Sequence, residues 1–109
     1  MNRIVTIFGS SHPREGDADY TLAFEVGAQL AGAGFTVCNG GYGGIMEASA
    51  RGAKSVGGTT IGITIKPAPP NPWIDKVMEM NTLVERLQKL ILLGDAYVVL
   101  KGGTGTLLE

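Results

Sequence analysis

The stretch "FTVCNGGYGGIMEASARGAKSVGG", residues 35–58, reads as three pieces in a row. Phe35 to Cys38 opens a strand over 35–41, apolar without the alternation of a half-solvated strand. A loop follows with glycines at 40, 41, 43 and 44. From residue 44 the spacing becomes that of a helix with a small-residue face, ended by Gly57 and Gly58. A buried strand that empties through glycines into a helix is a building block of a parallel sheet covered on both faces.

The same order recurs on either side. "RIVTIFG" (3–9) is a short β-rich run, and "YTLAFEVGAQLAGAG" (20–34) has helical spacing, with Ala23, Val26 and Leu30 on one face and Gly34 as the stop. "TTIGITIK" (59–66) is a third strand. "PAPPNP" (67–72) holds four of the five prolines and must be a loop. "TLVERLQKLILLG" (82–94) is a helix capped by Asn81 or Thr82, and "AYVVLKGG" (96–103) is a fourth strand. With right-handed crossovers this predicts an α/β, doubly wound, Rossmann-like parallel sheet of four strands in the order 3-2-1-4. A ligand crevice should open between strands 1 and 4, beyond their carboxyl ends.

Composition narrows the function. The chain has 109 residues, enough for one domain over 1–109, with 44% hydrophobic and 17% charged residues. Its formal net charge is −1, so no basic field invites nucleic acid or a membrane surface. No run is long and apolar enough for a membrane span or a signal peptide. The single cysteine, Cys38, cannot form an internal disulfide and reads as a buried, inert thiol. A cytoplasmic setting is expected. His12 has no metal-ligand partners at useful spacing and reads as a loop residue; no metal is expected.

Three strands end in loops of one character: "GSS" (9–11), "NGGYGG" (39–44) and "KGGTGT" (101–106). All three should lie on one edge of the sheet, the first and third flanking the crevice. Glycines admit an anion to the backbone N–H groups, helix N-termini favour it, and hydroxyls add donors. The dinucleotide pattern G-x-G-x-x-G fails from Gly41, because residue 46 is Met, and from Gly103, because residue 108 is Leu. The P-loop pattern is absent too. A mononucleotide or sugar phosphate is therefore the expected guest, bound by the N–H groups of Gly103, Thr104, Gly105 and Thr106 with Ser10 nearby.

On the helix 82–94, Arg86 falls about 300° round from Leu83, between Leu93 and Leu90 and inside the apolar arc. An arginine there either snorkels to the surface along its aliphatic stem or enters the crevice and meets an anion.

"RLQKLILLGDAYVVLKGGTGTLLE" resembles the signature region of the LONELY GUY (LOG) family, often labelled lysine decarboxylase-like, whose motif is PGGxGTxxE with an arginine one helix earlier. Gly102, Gly103, Gly105, Thr106 and Glu109 match the motif, Arg86 the arginine, and Asp95 the Asp before the fourth strand. Lys101 stands where the motif has proline, and Leu87 where the family has a lysine after the arginine. "GSS" and "GGYGGIMEASARGA" resemble the family's two earlier glycine loops, the second being nearest a branch of molybdenum-cofactor-carrier-like proteins.

The resemblance implies a phosphoribohydrolase that cleaves a nucleoside 5′-monophosphate, of cytokinin-ribotide or AMP type, into free base and ribose 5-phosphate. Arg86 and Glu109 would be catalytic. Gly9, Ser10, Ser11, Gly40, Gly41, Gly43, Gly44, Met46 and the loop Gly102, Gly103, Thr104, Gly105, Thr106 would bind the nucleotide. It also implies a homodimer and a domain that continues past residue 109. No cofactor is expected, because lysine decarboxylation needs pyridoxal phosphate on a Schiff-base lysine and only Lys101 lies beside a phosphate loop. A non-catalytic carrier of a nucleotide or of the molybdenum cofactor is the alternative.

Overall fold

The computed structural model describes residues 3–100. Along the chain run β1 (Ile4–Phe8), α1 (Ala18–Gly32), β2 (Thr36–Asn39), α2 (Ile45–Ser55), β3 (Thr60–Ile65), β4 (Lys76–Met80), α3 (Leu83–Leu93) and β5 (Ala96–Val99). The strands are all parallel and form one sheet in the order β4-β3-β2-β1-β5. The α/β Rossmann-like expectation holds, and β1 and β5 are the neighbours at the switch point.

The expected four strands are five among the described residues. Sequence pattern passes over β4, "KVMEM", because Lys76 and Glu79 break up what would otherwise be a continuous apolar run. It can carry these charges because, among the described residues, it is an edge strand that pairs only with β3 and leaves Lys76 and Glu79 in water. The proline loop therefore leads into a strand, not directly to a helix.

Helices α1 and α2 cover one face. Their crossing is close because the contact residues are small: Ala23, Ala48 and Ala53 are buried between them and the sheet with Ile7, Val37 and Ile45. A Cβ on Gly27 would overlap the Ser49 carbonyl, and one on Gly52 the Phe24 carbonyl. Helix α3 covers the other face, where Leu90 meets Cys38, Ile61 and Ile63. Burial raises the Cys38 thiol pKa to about 11, so it is inert at neutral pH, as its sequence setting suggested. Not all the buried strand positions are apolar. Thr6, Thr36, Asn39, Thr60 and Thr64 are buried too. Thr6 Oγ1 donates to the Leu90 carbonyl at 3.0 Å and ties α3 to β1, while Thr60 Oγ1 donates to the Trp73 carbonyl at 2.6 Å.

Thr82 caps α3 through a reciprocal pair: Glu85 N–H donates to Thr82 Oγ1, and Glu85 Oε1 accepts from Thr82 N–H, both at 3.1 Å. Only part of the apolar arc of this helix faces the sheet. Arg86 and Leu90 are its buried residues, while Leu83, Val84, Ile91 and Leu92 are exposed. Arg86 is thus on the packed side with Leu90 and Leu93, and the rest of the apolar arc points outward.

Candidate functional site

The carboxyl ends of β1 and β2 bring two glycine loops into contact. The first carries Gly9, Ser10 and Ser11; the second carries Gly40, Gly41, Gly43 and Gly44. Ile45 N–H, opening α2, donates to the Ser10 carbonyl at 2.9 Å. Gly44 has φ 63° and lies so close to Ser10 and Ser11 that a side chain there would collide with both. The third loop, expected to flank the crevice with the first, lies outside the described residues with Gly102, Gly103, Thr104, Gly105, Thr106 and Glu109. What the structure does bring together is the first loop and the second.

Asn39, wholly buried at the end of β2, shapes the second loop. Its Oδ1 accepts from Gly41 N–H at 2.8 Å, and its Nδ2 donates to the Met46 carbonyl at 2.8 Å and to Ser49 Oγ at 3.0 Å. The connection between β3 and β4 grips the same loop from outside. Asn71 donates from its backbone N–H to the Gly41 carbonyl and from Nδ2 to the Tyr42 carbonyl, both at 2.7 Å. Tyr42 O–H in turn donates to the Ile65 carbonyl at 3.1 Å and accepts from Ile65 N–H at 2.8 Å. Sequence reasoning missed Asn39, Tyr42 and Asn71. Asn39 had a signal, since an asparagine before two glycines is an Asx-turn former; Asn71 had none, because its partners lie about 30 residues away.

Arg86 comes to this loop from below. It is 4% exposed, so it does not snorkel to the surface. Nε donates to the Ile63 carbonyl at 2.8 Å and Nη2 to the Gly40 carbonyl at 3.1 Å, with Met46 Sδ 3.5 Å away. Its guanidinium also stands over the Tyr42 ring, 5.2 Å from the centroid. A Cβ on Gly40 would overlap Nη2 and Met46 Sδ and displace them. Met46 is buried against the arginine. A permanent cation is thus fixed beneath the second loop at the carboxyl edge of the sheet, the edge where α/β proteins bind anions.

In front of the two loops lies a recess of about 470 Å³, lined by Ser11, His12, Arg14, Tyr20, Gly43 and Glu47. Tyr20 O–H donates to Glu47 Oε2 at 2.6 Å. Burial, together with that carboxylate, pushes the Tyr20 phenol above its ordinary pKa, against an opposing pull from Arg51.

A family model for the SLOG cluster4 family matches residues 2–109. The chain belongs to the SLOG cluster4 family. Its curated relatives include a cytokinin riboside 5′-monophosphate phosphoribohydrolase of Mycobacterium tuberculosis, 40% identical over 93 residues, with 81% of this chain and 50% of that protein covered. A pyrimidine/purine nucleotide 5′-monophosphate nucleosidase of Escherichia coli is 31% identical over 100 residues, covering 81% of this chain and 22% of that one. This SLOG cluster4 chain therefore spans half or less of the length of these two relatives. Among solved structures, the molybdenum cofactor carrier protein of Chlamydomonas reinhardtii superposes with a TM-score of 0.85 at 28% identity, over 97% of this chain and 66% of that one. The resemblance expected from the motifs, to LOG proteins and to molybdenum-cofactor carriers, is met on both sides, and the fold is shared.

Proposed function

We propose that the protein is a nucleoside 5′-monophosphate phosphoribohydrolase, releasing free base and ribose 5-phosphate. The observation that carries this reading is Arg86, a buried cation held beneath a glycine loop that touches a second glycine-serine loop, in a chain similar to a phosphoribohydrolase. In this reading the 5′-phosphate lies on the 102–106 loop with Ser10 nearby. Glu109 stabilises the oxocarbenium-like charge that develops on the ribose, or activates the attacking water. Arg86 supplies positive charge behind the Gly40–Gly44 loop and holds that loop against the nucleotide.

Release of ribose 5-phosphate from AMP is the test. Turnover is expected, with Glu109→Gln lowering kcat by about a hundred-fold or more. A second reading, a non-catalytic carrier, is favoured by the likeness to the Chlamydomonas carrier across 97% of this chain. Tight AMP binding in calorimetry without release of base would support the carrier. Neither binding nor release would sink both.

Arg86→Ala is expected to remove turnover. Because it also strips donors from the buried Ile63 and Gly40 carbonyls, it should cost about 3 kcal/mol of stability. A variant that melts like the parent would show that these hydrogen bonds carry no stability.

A further inference from the structure

Ser10 is nearly buried, and its position is set by the Ile45 N–H on its carbonyl. Its hydroxyl oxygen accepts from His12 N–H at 3.0 Å and shares one hydrogen with His12 Nδ1 at 2.9 Å. A hydroxyl has one proton and two acceptor positions. The His12 N–H fills one acceptor position, which leaves two arrangements. In the first, Ser10 gives its proton to Nδ1 and the imidazole carries its own proton on Nε2; Ser10 then has no donor for an anion. In the second, Nδ1–H donates to Ser10. Both acceptor positions are filled, and the hydroxyl proton is free to point at a ligand.

We propose that His12 is a positioning residue that switches Ser10 between acceptor and donor: an oxyanion bound at Ser10, such as a phosphate monoester, selects the form with a proton on His12 Nδ1. This deepens the nucleotide reading and rests on it. Nothing in the backbone has to move. In the neutral ring the proton passes from Nε2 to Nδ1 by exchange with solvent, which the exposed imidazole allows; in the imidazolium one proton is taken up. The donating ring also polarises the Ser10 hydroxyl and holds its rotamer, which strengthens its hydrogen bond to the anion. The ionisable groups around the imidazole are Arg14 and Glu15 on its own loop, Tyr20 from α1 and Glu47 from α2, all lining the same recess. Glu15 is paired with Arg51 at 3.0 Å, and Glu47 accepts from Tyr20.

The chain has one histidine, so nitrogen NMR of histidine-labelled protein reports a single ring. Sulfate, whose charge does not change near neutral pH, and AMP serve as probes. The expected result is a proton on Nε2 in the free protein and on Nδ1 once either probe saturates the Gly9, Ser10 and Ser11 amide shifts. His12→Phe should bind AMP about three- to ten-fold more weakly, and His12→Asn, which keeps an N–H donor there, should restore it. Circular dichroism melting checks that both variants fold. Saturated amide shifts with unmoved ring nitrogens, or a Phe variant that binds like the parent, would overturn the switch while leaving the nucleotide site standing. No amide shift with millimolar AMP would overturn the nucleotide reading, and the switch with it.

Discussion

The two faces of the sheet are built on opposite terms. On one, α2 buries seven of its eleven residues, five of them small, and meets α1 backbone to backbone. On the other, α3 buries only Arg86 and Leu90 of eleven, and turns a stripe of leucine, valine and isoleucine to solvent. Beside it β5 exposes Tyr97 and Val99, and Phe8, Leu87, Ile91, Tyr97 and Val99 line an apolar hollow of about 330 Å³. The first face is finished within this chain; the second has the composition of a surface that another apolar surface should cover. Fully burying one such aliphatic side chain stabilises by about 1.5–3 kcal/mol, so covering the open flank would stabilise an assembly.

The comparison breaks most sharply at the closed face. Gly27→Val or Gly52→Val would force α1 and α2 apart, because the new side chain has backbone in its place. A loss of about 3–5 kcal/mol is expected, enough to leave little folded protein. A melting temperature within a few degrees of the parent would show that the two helices are not in backbone contact.

Within α3 the contrast can be measured on neighbouring leucines. Leu90→Ala should cost about 2–5 kcal/mol, whereas Leu92→Ala, at a position 81% exposed, should cost less than about 0.5 kcal/mol. Urea unfolding of the two variants, at a dilution that keeps the protein monomeric, reads the difference; equal costs would mean that Leu92 is covered within the monomer.

The open flank itself should drive self-association, as the expected homodimer requires. Light scattering at micromolar concentration should show a species larger than the monomer, and Ile91→Asp should return it to the monomer without lowering the melting temperature by more than a few degrees. A parent that is already a soluble monomer would refute this account of the flank.

The smallest effect lies at the edge of the sheet. Burial alone would raise the Asp75 carboxyl, but Lys54 at 3.0 Å and the Thr60 N–H at 2.9 Å hold it below its ordinary pKa. A carboxylate depressed on folding contributes stability above its unfolded pKa, and that contribution is lost as pH falls through the folded value. Asp75→Asn should therefore lower the melting temperature at pH 7 by a few degrees, with the difference shrinking towards about pH 3. An equal difference at both pH values would show that the charge is not what Asp75 contributes.

The sequence alone determined the alternation of strands and helices, the parallel sheet, the neighbouring of the first and last of the described strands and the clustering of glycines at the carboxyl ends of β1 and β2. Those follow from local chemistry: apolar runs, helical spacing, and glycine and capping residues that act over a few positions. Gly34 and Gly57, both with positive φ, end α1 and α2 close to where the chain pattern put them. Only the tertiary structure decided three things. It made "KVMEM" a strand, since an edge strand takes its shape from the β3 backbone and not from its own hydrophobicity. It turned α3 so that Arg86 faces inward beside Leu90 while Leu83, Val84, Ile91 and Leu92 face outward, because the donors of the guanidinium find the Ile63 and Gly40 carbonyls, a match between residues up to 46 positions apart. And it set His12, which reads as an ordinary loop residue, against the one hydroxyl of the first glycine loop that is buried. A hydrogen bond two residues long depends there on the turn the loop takes, and the turn is imposed by α2 packing onto Ser10.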